Sequence, residues 1–129
     1  MEDNKFKNLR CPMDATVMVI GGKYKIKIIF YLMLETLRYS QLRKLLPHVS
    51  DKTLSQQLKE LEADGVIKRT VYPTIPPKTE YSLTEKGKAL RPTLVELYHW
   101  GERIFEENEI PNTCNIEELE NNIPALHNK

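Results

Sequence analysis

A chain of 129 residues, 40% hydrophobic and 29% charged, has the size and composition of one folded domain with extended ends, which excludes a disordered chain. No apolar run approaches the ~20 residues needed to cross a bilayer, and residues 1–10 are polar with no apolar signal core, so the expected compartment is the cytoplasm. The net charge of +1 hides an asymmetry: residues 1–91 carry 17 Lys and Arg against 10 Asp and Glu, net +7, and residues 92–129 carry 2 against 8, net −6. A basic body attracts a polyanion such as nucleic acid, although a charged run is more often a solvated surface.

Pro12 suits the first position of a helix in which Met13, Val17 and Ile20 recur at helical spacing until Gly21 and Gly22 stop it. A second helix follows from Lys23 to about Leu34, with Ile26, Ile29, Phe30 and Met33 at i, i+3, i+4 and i+7 as its expected buried face. Residues 36–39 are expected as an edge strand, and Ser40 as the cap of a short helix bearing Leu42, Leu45 and Leu46, ended by Pro47. Ser50 then caps the clearest helix, residues 51–64, which stops at Gly65, a residue suited to the left-handed position after a helix.

Residues 66–72 and 79–83 read as two strands around the Pro-rich turn 73–78, a hairpin. Thr84 is expected to cap one long helix in which Leu90, Leu94, Leu97, Tyr98, Gly101, Ile104 and Phe105 keep one face apolar, with Pro92 as a kink. Beyond Asn108 the acidic residues, Asn and Pro predict a weakly ordered tail, with one short helix near residues 116–119. The expected organisation is a lead-in (1–10), a domain (11–108) and this tail (109–129). The fold class is mainly α with a small β hairpin, α+β: a winged helix-turn-helix with flanking N- and C-terminal helices.

In a helix-turn-helix the second helix enters the major groove, and residues 51–64 suit that role. Leu54, Leu58 and Leu61 define its buried side, so at about 100° per residue Lys52, Ser55, Gln56 and Lys59 lie opposite, with Thr53 on the flank. Gln pairs bidentately with adenine and Lys reaches guanine O6 or N7, which makes Lys52, Thr53, Ser55 and Gln56 the candidate readers and Lys59 a supporting contact. In an isolated helix these would be ordinary solvated residues. The hairpin turn would offer Lys78 to a phosphate or the minor groove, with Lys68 and Arg69 at its base. Lys23, Lys25 and Lys27, around the start of the second helix, are further phosphate candidates.

The motifs then form a succession: Cys11-Pro12, Ile20-Gly21-Gly22-Lys23, LKELEADG at 58–65, VYPTIPP at 71–77 and EYSLTEKG at 80–87. In this order they resemble the HxlR-type transcription regulators over about residues 11–101. Tyr24 departs from the pattern, since the family commonly has Trp there. The resemblance implies a homodimer of MarR-like winged helix domains on an inverted-repeat DNA operator, with repression the expected outcome. Dimerisation is compatible with the residues: an apolar stripe over residues 90–105 is longer than one small core needs. Met13, Val17, Leu94, Leu97, Tyr98, Trp100 and Phe105 are its candidate interface, against the alternative that both flanking helices pack only within one subunit.

Several HxlR-type sensors of electrophiles or oxidants use a cysteine placed, like Cys11, just before Pro at the start of the first helix. A helix N-terminus and the nearby Lys5, Lys7 and Arg10 would lower such a thiol's pKa. Cys114 follows the long helix and is the candidate resolving thiol, reaching Cys11 of another subunit. The alternative is a Cys11 that packs as a small hydrophobe and an idle Cys114. The two cysteines, near opposite ends, form neither a disulfide framework nor a zinc spacing.

The histidines, His48, His99 and His127, are scattered, with no partner at metal or nucleophile spacing, so an enzyme is not expected, nor a metal or cofactor. A winged helix module for protein or RNA contacts would carry an apolar or acidic face in place of Lys52, Gln56 and Lys59. Within regulators, the runner-up to a cysteine sensor is a small-molecule sensor with a pocket beside the long helix.

Overall fold

The structure, a computed structural model, describes residues 4–114. Pro12 opens α1 (Pro12–Ile20), as its missing N–H costs nothing in a first turn, and Gly21 follows its last residue. The short helix expected near residues 116–119 lies outside the described residues.

α2 (Lys25–Leu34) is the central helix, and its buried face differs from the expected one. Ile28, Ile29, Tyr31 and Leu32 are buried, whereas Ile26 is 39% exposed and Phe30 and Met33 are half-buried. Seven consecutive apolar or aromatic residues, 28–34, give no polar side to orient the helix, so its neighbours β3, α4 and α6 decide what is covered.

β1 (Leu37–Arg38) is a two-residue strand leading into α3 (Tyr39–Leu45), which begins one residue before Ser40. The Gln41 amide oxygen, not a serine hydroxyl, accepts the Arg38 backbone N–H at 2.7 Å. α4 (Asp51–Ala63) has the expected cap, Ser50 Oγ accepting from Thr53 N at 3.1 Å. It ends before Gly65, whose φ of 76° is left-handed backbone that a side chain would disfavour.

β2 (Ile67–Tyr72) and β3 (Lys78–Leu83) form the hairpin, in register from Ile67 opposite Leu83 to Tyr72 opposite Lys78. β1 joins the other edge of β3, giving an antiparallel sheet in the order β1-β3-β2. The expected single long helix after Thr84 is two: α5 (Glu85–Lys88) and α6 (Arg91–Glu107). Pro92 causes the break, since it has no N–H for the carbonyl of Lys88, and it serves instead in the first turn of α6.

The core lies between the helices and one face of the sheet. Ile28, Ile29, Leu37, Leu42, Leu54 and Leu61 are fully buried, with Leu58, Ile67, Tyr81 and Leu83 closing it against the hairpin. This is a winged helix-turn-helix: α3 and α4 form the helix-turn-helix and the β2–β3 hairpin is the wing.

Candidate nucleic-acid interface

Leu54, Leu58 and Leu61 fix the rotation of α4 by filling the core, which leaves Lys52, Gln56 and Lys59 exposed on the opposite side. The turn before α4 is held by one side chain. Arg43 on α3 donates from Nη1 to the carbonyls of Leu46 (3.3 Å) and Val49, and its Nε lies 3.0 Å from Asp51 Oδ1. The same carboxylate oxygen accepts the Tyr39 hydroxyl at 2.8 Å. Burial and the adjacent Asp51 push the Tyr39 pKa up, which keeps the hydroxyl a donor. The angle between α3 and α4 is thus set by a charge-assisted network across the five residues 46–50.

Among the expected readers, Lys52 and Gln56 stand clear of the body. Thr53 is half-buried, its hydroxyl 3.0 Å from the Ser50 hydroxyl and so engaged in the cap. Ser55 is also half-buried, turned toward Tyr39, whose hydroxyl lies at 3.5 Å. Lys59, Arg69, Tyr39, Ser55, Glu62 and Tyr81 line a polar recess of about 320 Å³ between α4 and the wing.

Lys68 and Arg69 were expected together at the wing base, but they point to opposite faces of the sheet because strand residues alternate. Arg69 shares the face of Ile67 and Tyr81 that covers the body and meets α4, whereas Lys68, opposite Ser82, projects from the other face. Lys78 is exposed beside the turn, its ammonium 5.5 Å from the Tyr72 ring centroid. A hydrogen bond to Glu80 raises the pKa of the Tyr72 hydroxyl, fixing that ring as a platform for Lys78.

Sequence reasoning missed Arg38. It is exposed and lines, with Tyr39, Ser40, Lys78 and Thr79, a groove of about 620 Å³ between the wing turn and the start of α3. Two cations therefore flank this groove; the signal in the sequence was a lone Arg one residue before a helix, which pattern alone does not distinguish. Lys23 is exposed at the turn before α2, 5.3 Å from the Tyr24 ring centroid. Lys25, grouped with it as a phosphate candidate, is instead buried and paired with Glu60 at 2.7 Å.

The expected dimer residues divide. Met13 (62% exposed), Val17 (58%), Leu97 (46%), Trp100 (61%) and Phe105 (37%) are open, whereas Leu94 (2%) lies inside the subunit core. Tyr98 stacks on Phe30 at 5.8 Å between centroids and donates to the Cys114 carbonyl at 2.6 Å, so it packs within the subunit. α6 is apolar on two sides: Leu94 and Tyr98 face the body, Leu97, Trp100 and Ile104 face out, and Phe105, on the side of Leu94 and Tyr98, lines a recess with Tyr98, Asn112 and Cys114.

Cys11 is exposed at the N-cap of α1, and its side chain caps nothing. Lys5, expected near it, is committed to Asp64 at 2.6 Å. Cys114 is half-buried beside α6; burial pushes its pKa up and the Lys27 ammonium opposes that shift.

A buried core that presents one polar helix, with Lys52, Gln56 and Lys59 on its outer side, beside a wing bearing Lys68, Arg69 and Lys78 is the architecture of a winged helix regulator. The chain belongs to the HxlR-like helix-turn-helix family, which matches residues 19–109. It is 49% identical over 100 residues to the HTH-type transcriptional regulator BH0655 of Halalkalibacterium halodurans, covering 75% of this chain and 88% of that one. Among solved structures it is similar to the oxidised form of the redox regulator HypR, with a TM-score of 0.70 and 42% identity over 72% of this chain and 96% of that one. The reduced form of the transcriptional regulator YodB from Bacillus subtilis gives a TM-score of 0.64 and 34% identity, covering 74% and 94%. The protein is accordingly a transcription regulator and not an enzyme. No helix among the described residues is long and apolar enough to cross a membrane.

Proposed function

We propose that the protein is a repressor that binds an inverted-repeat operator as a homodimer, with α4 in the major groove and the wing against the flanking backbone. The observation that carries this is the outward face of α4, where Lys52, Gln56 and Lys59 project from a helix anchored by three leucines and the Arg43 network. Lys52 and Gln56 meet base edges; Lys59, Arg69, Lys78 and Lys23 serve phosphates, and Thr53 and Ser55 hold the helix. The partner copy covers Met13, Val17, Leu97, Trp100 and Phe105.

Its signal is oxidative, received by Cys11. Support comes from the exposure of that thiol at a helix start and from the likeness to HypR, a redox regulator by its printed description. Oxidation by a peroxide or diamide removes two electrons from two thiols, and Cys114 of the other subunit is the resolving partner. The experiment is binding to the DNA upstream of its own coding sequence across a salt titration, with and without diamide, on wild type and Cys11→Ser. Selective, strongly salt-dependent binding supports the regulator. Diamide altering it only in the wild type supports the sensor; equal response in both proteins removes Cys11 from the reading, and no selective binding removes the regulator.

A further inference from the structure

The second residue of α2, Ile26, is exposed while Lys25 beside it is buried, at 6% exposure. An ammonium out of water requires a partner, and such a pair contributes little net stability, so its placement calls for another reason. The stem of Lys25 lies over Gly22: a Cβ there would come 2.9 Å from Lys25 Cδ and 3.0 Å from Cε, so a side chain at that position would displace the stem. At its end, Nζ meets Glu60 Oε1 on α4 at 2.7 Å. The other oxygen, Oε2, accepts from Gln56 Nε2 at 2.8 Å, one helical turn back on the exposed side. At the residue just before α2, the Tyr24 N–H donates to Gln57 Oε1 at 3.1 Å, so the entry to α2 grips α4 at two points.

We propose that Lys25 and Glu60 are positioning residues that fix the side-chain amide of Gln56 so that α4 selects adenine at the base pair Gln56 meets. This rests on the reading of α4 as the recognition helix. An ionised carboxylate only accepts, so the side of the Gln56 amide facing Glu60 must be its NH2 group. One Nε2 hydrogen goes to Glu60. The other stays beside Oε1, and that donor and acceptor together match N7 and N6 of adenine; guanine, with acceptors at both N7 and O6, is refused. An unheld glutamine could turn its NH2 toward guanine. The hydrogen bonds from Gln56 and from Lys25 hold the Glu60 carboxyl below its usual range, so the clamp persists in mildly acid conditions. The Lys25 charge also offsets a carboxylate that would otherwise repel the phosphates.

The geometry gives Glu60→Gln a direction. Lys25 would take the new amide oxygen, leaving an NH2 toward Gln56, whose own amide must then turn its oxygen inward and present two hydrogens to the groove. The test is selection from a pool of duplexes with randomised centres by the wild-type dimer, Q56A, E60Q and K25M, with thermal melting and binding to a fixed non-specific duplex as controls. Q56A identifies the position that this side chain reads. At that position the wild type is expected to prefer adenine, K25M to lose at least about fivefold of the adenine-to-guanine ratio, and E60Q to shift it toward guanine, with non-specific affinity little changed. Should K25M fail to fold, E60Q, at a half-exposed site, carries the test. An unchanged ratio in folded E60Q overturns the proposal while leaving α4 as the reader. If Q56A alters no position, the clamp has nothing to position and the proposal falls with that contact; if the wild type selects no sequence, the recognition-helix reading falls first.

Discussion

Two thiols of one chain differ here in their surroundings alone. Cys11 is open to solvent, whereas Cys114 is half-buried and its pKa is raised, which lowers the thiolate fraction at neutral pH. Under limiting iodoacetamide at pH 7.5 Cys11 is expected to be alkylated first, and Lys27→Met, which removes the charge opposing the shift, to slow Cys114 further. Peptide mass spectrometry over time checks this; equal rates at both sites would contradict it. At the same scale, Arg38 and Lys78 flank the groove beside the wing. If each neutralises one phosphate, Arg38→Ala and Lys78→Ala should each weaken operator and non-specific binding alike and reduce the slope of log K against log salt by about 1. Fluorescence anisotropy on both duplexes measures the slopes, and a loss confined to the operator would mean base contact instead.

At the scale of elements, the junction after the wing is the most constrained. Thr84 N donates to the Val66 carbonyl at 3.1 Å, its hydroxyl accepts from Gly87 N at 3.2 Å, and a Cβ at Gly87 would lie 2.2 Å from the Val66 oxygen. α5 therefore presses its backbone onto Val66, the residue that leads into β2. Gly87→Ala should cost about 1–3 kcal/mol, as other overpacked sites do, read as a lower urea midpoint with unchanged m. The motif containing Gly87 was legible in the sequence, and so were the Ser50 cap, the Gly65 stop and the wing hairpin, because each depends on local chemistry. The side of α2 that is buried was not, since a run of apolar residues carries no phase. Nor was the break at residues 89–90, where Pro92 fits either a kink or a new first turn. In the site, the leucine spacing of α4 correctly turned Lys52 and Gln56 outward. The burial of Lys25, Ser55 and Leu94 was not legible because each is decided by a partner more than ten residues away: Glu60, Tyr39 and the core beneath α6.

For the whole molecule, one subunit leaves an account open: Met13, Val17, Leu97, Trp100, Ile104 and Phe105 are each more than a third exposed. On α6, Leu97, Trp100 and Ile104 form one continuous stripe facing away from the body, with Phe105 at its edge, and scattered apolar residues would not align so. A two-fold partner that covers the stripe also has a consequence for DNA. Two α4 helices held in one particle can meet two half-sites about one helical turn, ~34 Å, apart, whereas a lone subunit has only one helix and one wing to offer. The second contact then forms at an effective concentration set by the dimer, which raises operator affinity by on the order of a hundredfold or more. Leu97→Asp with Trp100→Asp places two charges on the stripe without touching Leu94 or Tyr98, so the subunit should still fold. Sedimentation velocity is expected to show the wild type as a dimer and this variant as a monomer with unchanged helical content. Operator affinity should fall by about a hundredfold while binding to a single half-site stays near the wild-type subunit's value. A wild type that sediments as a monomer and still binds the full operator tightly would detach the stripe from DNA recognition altogether.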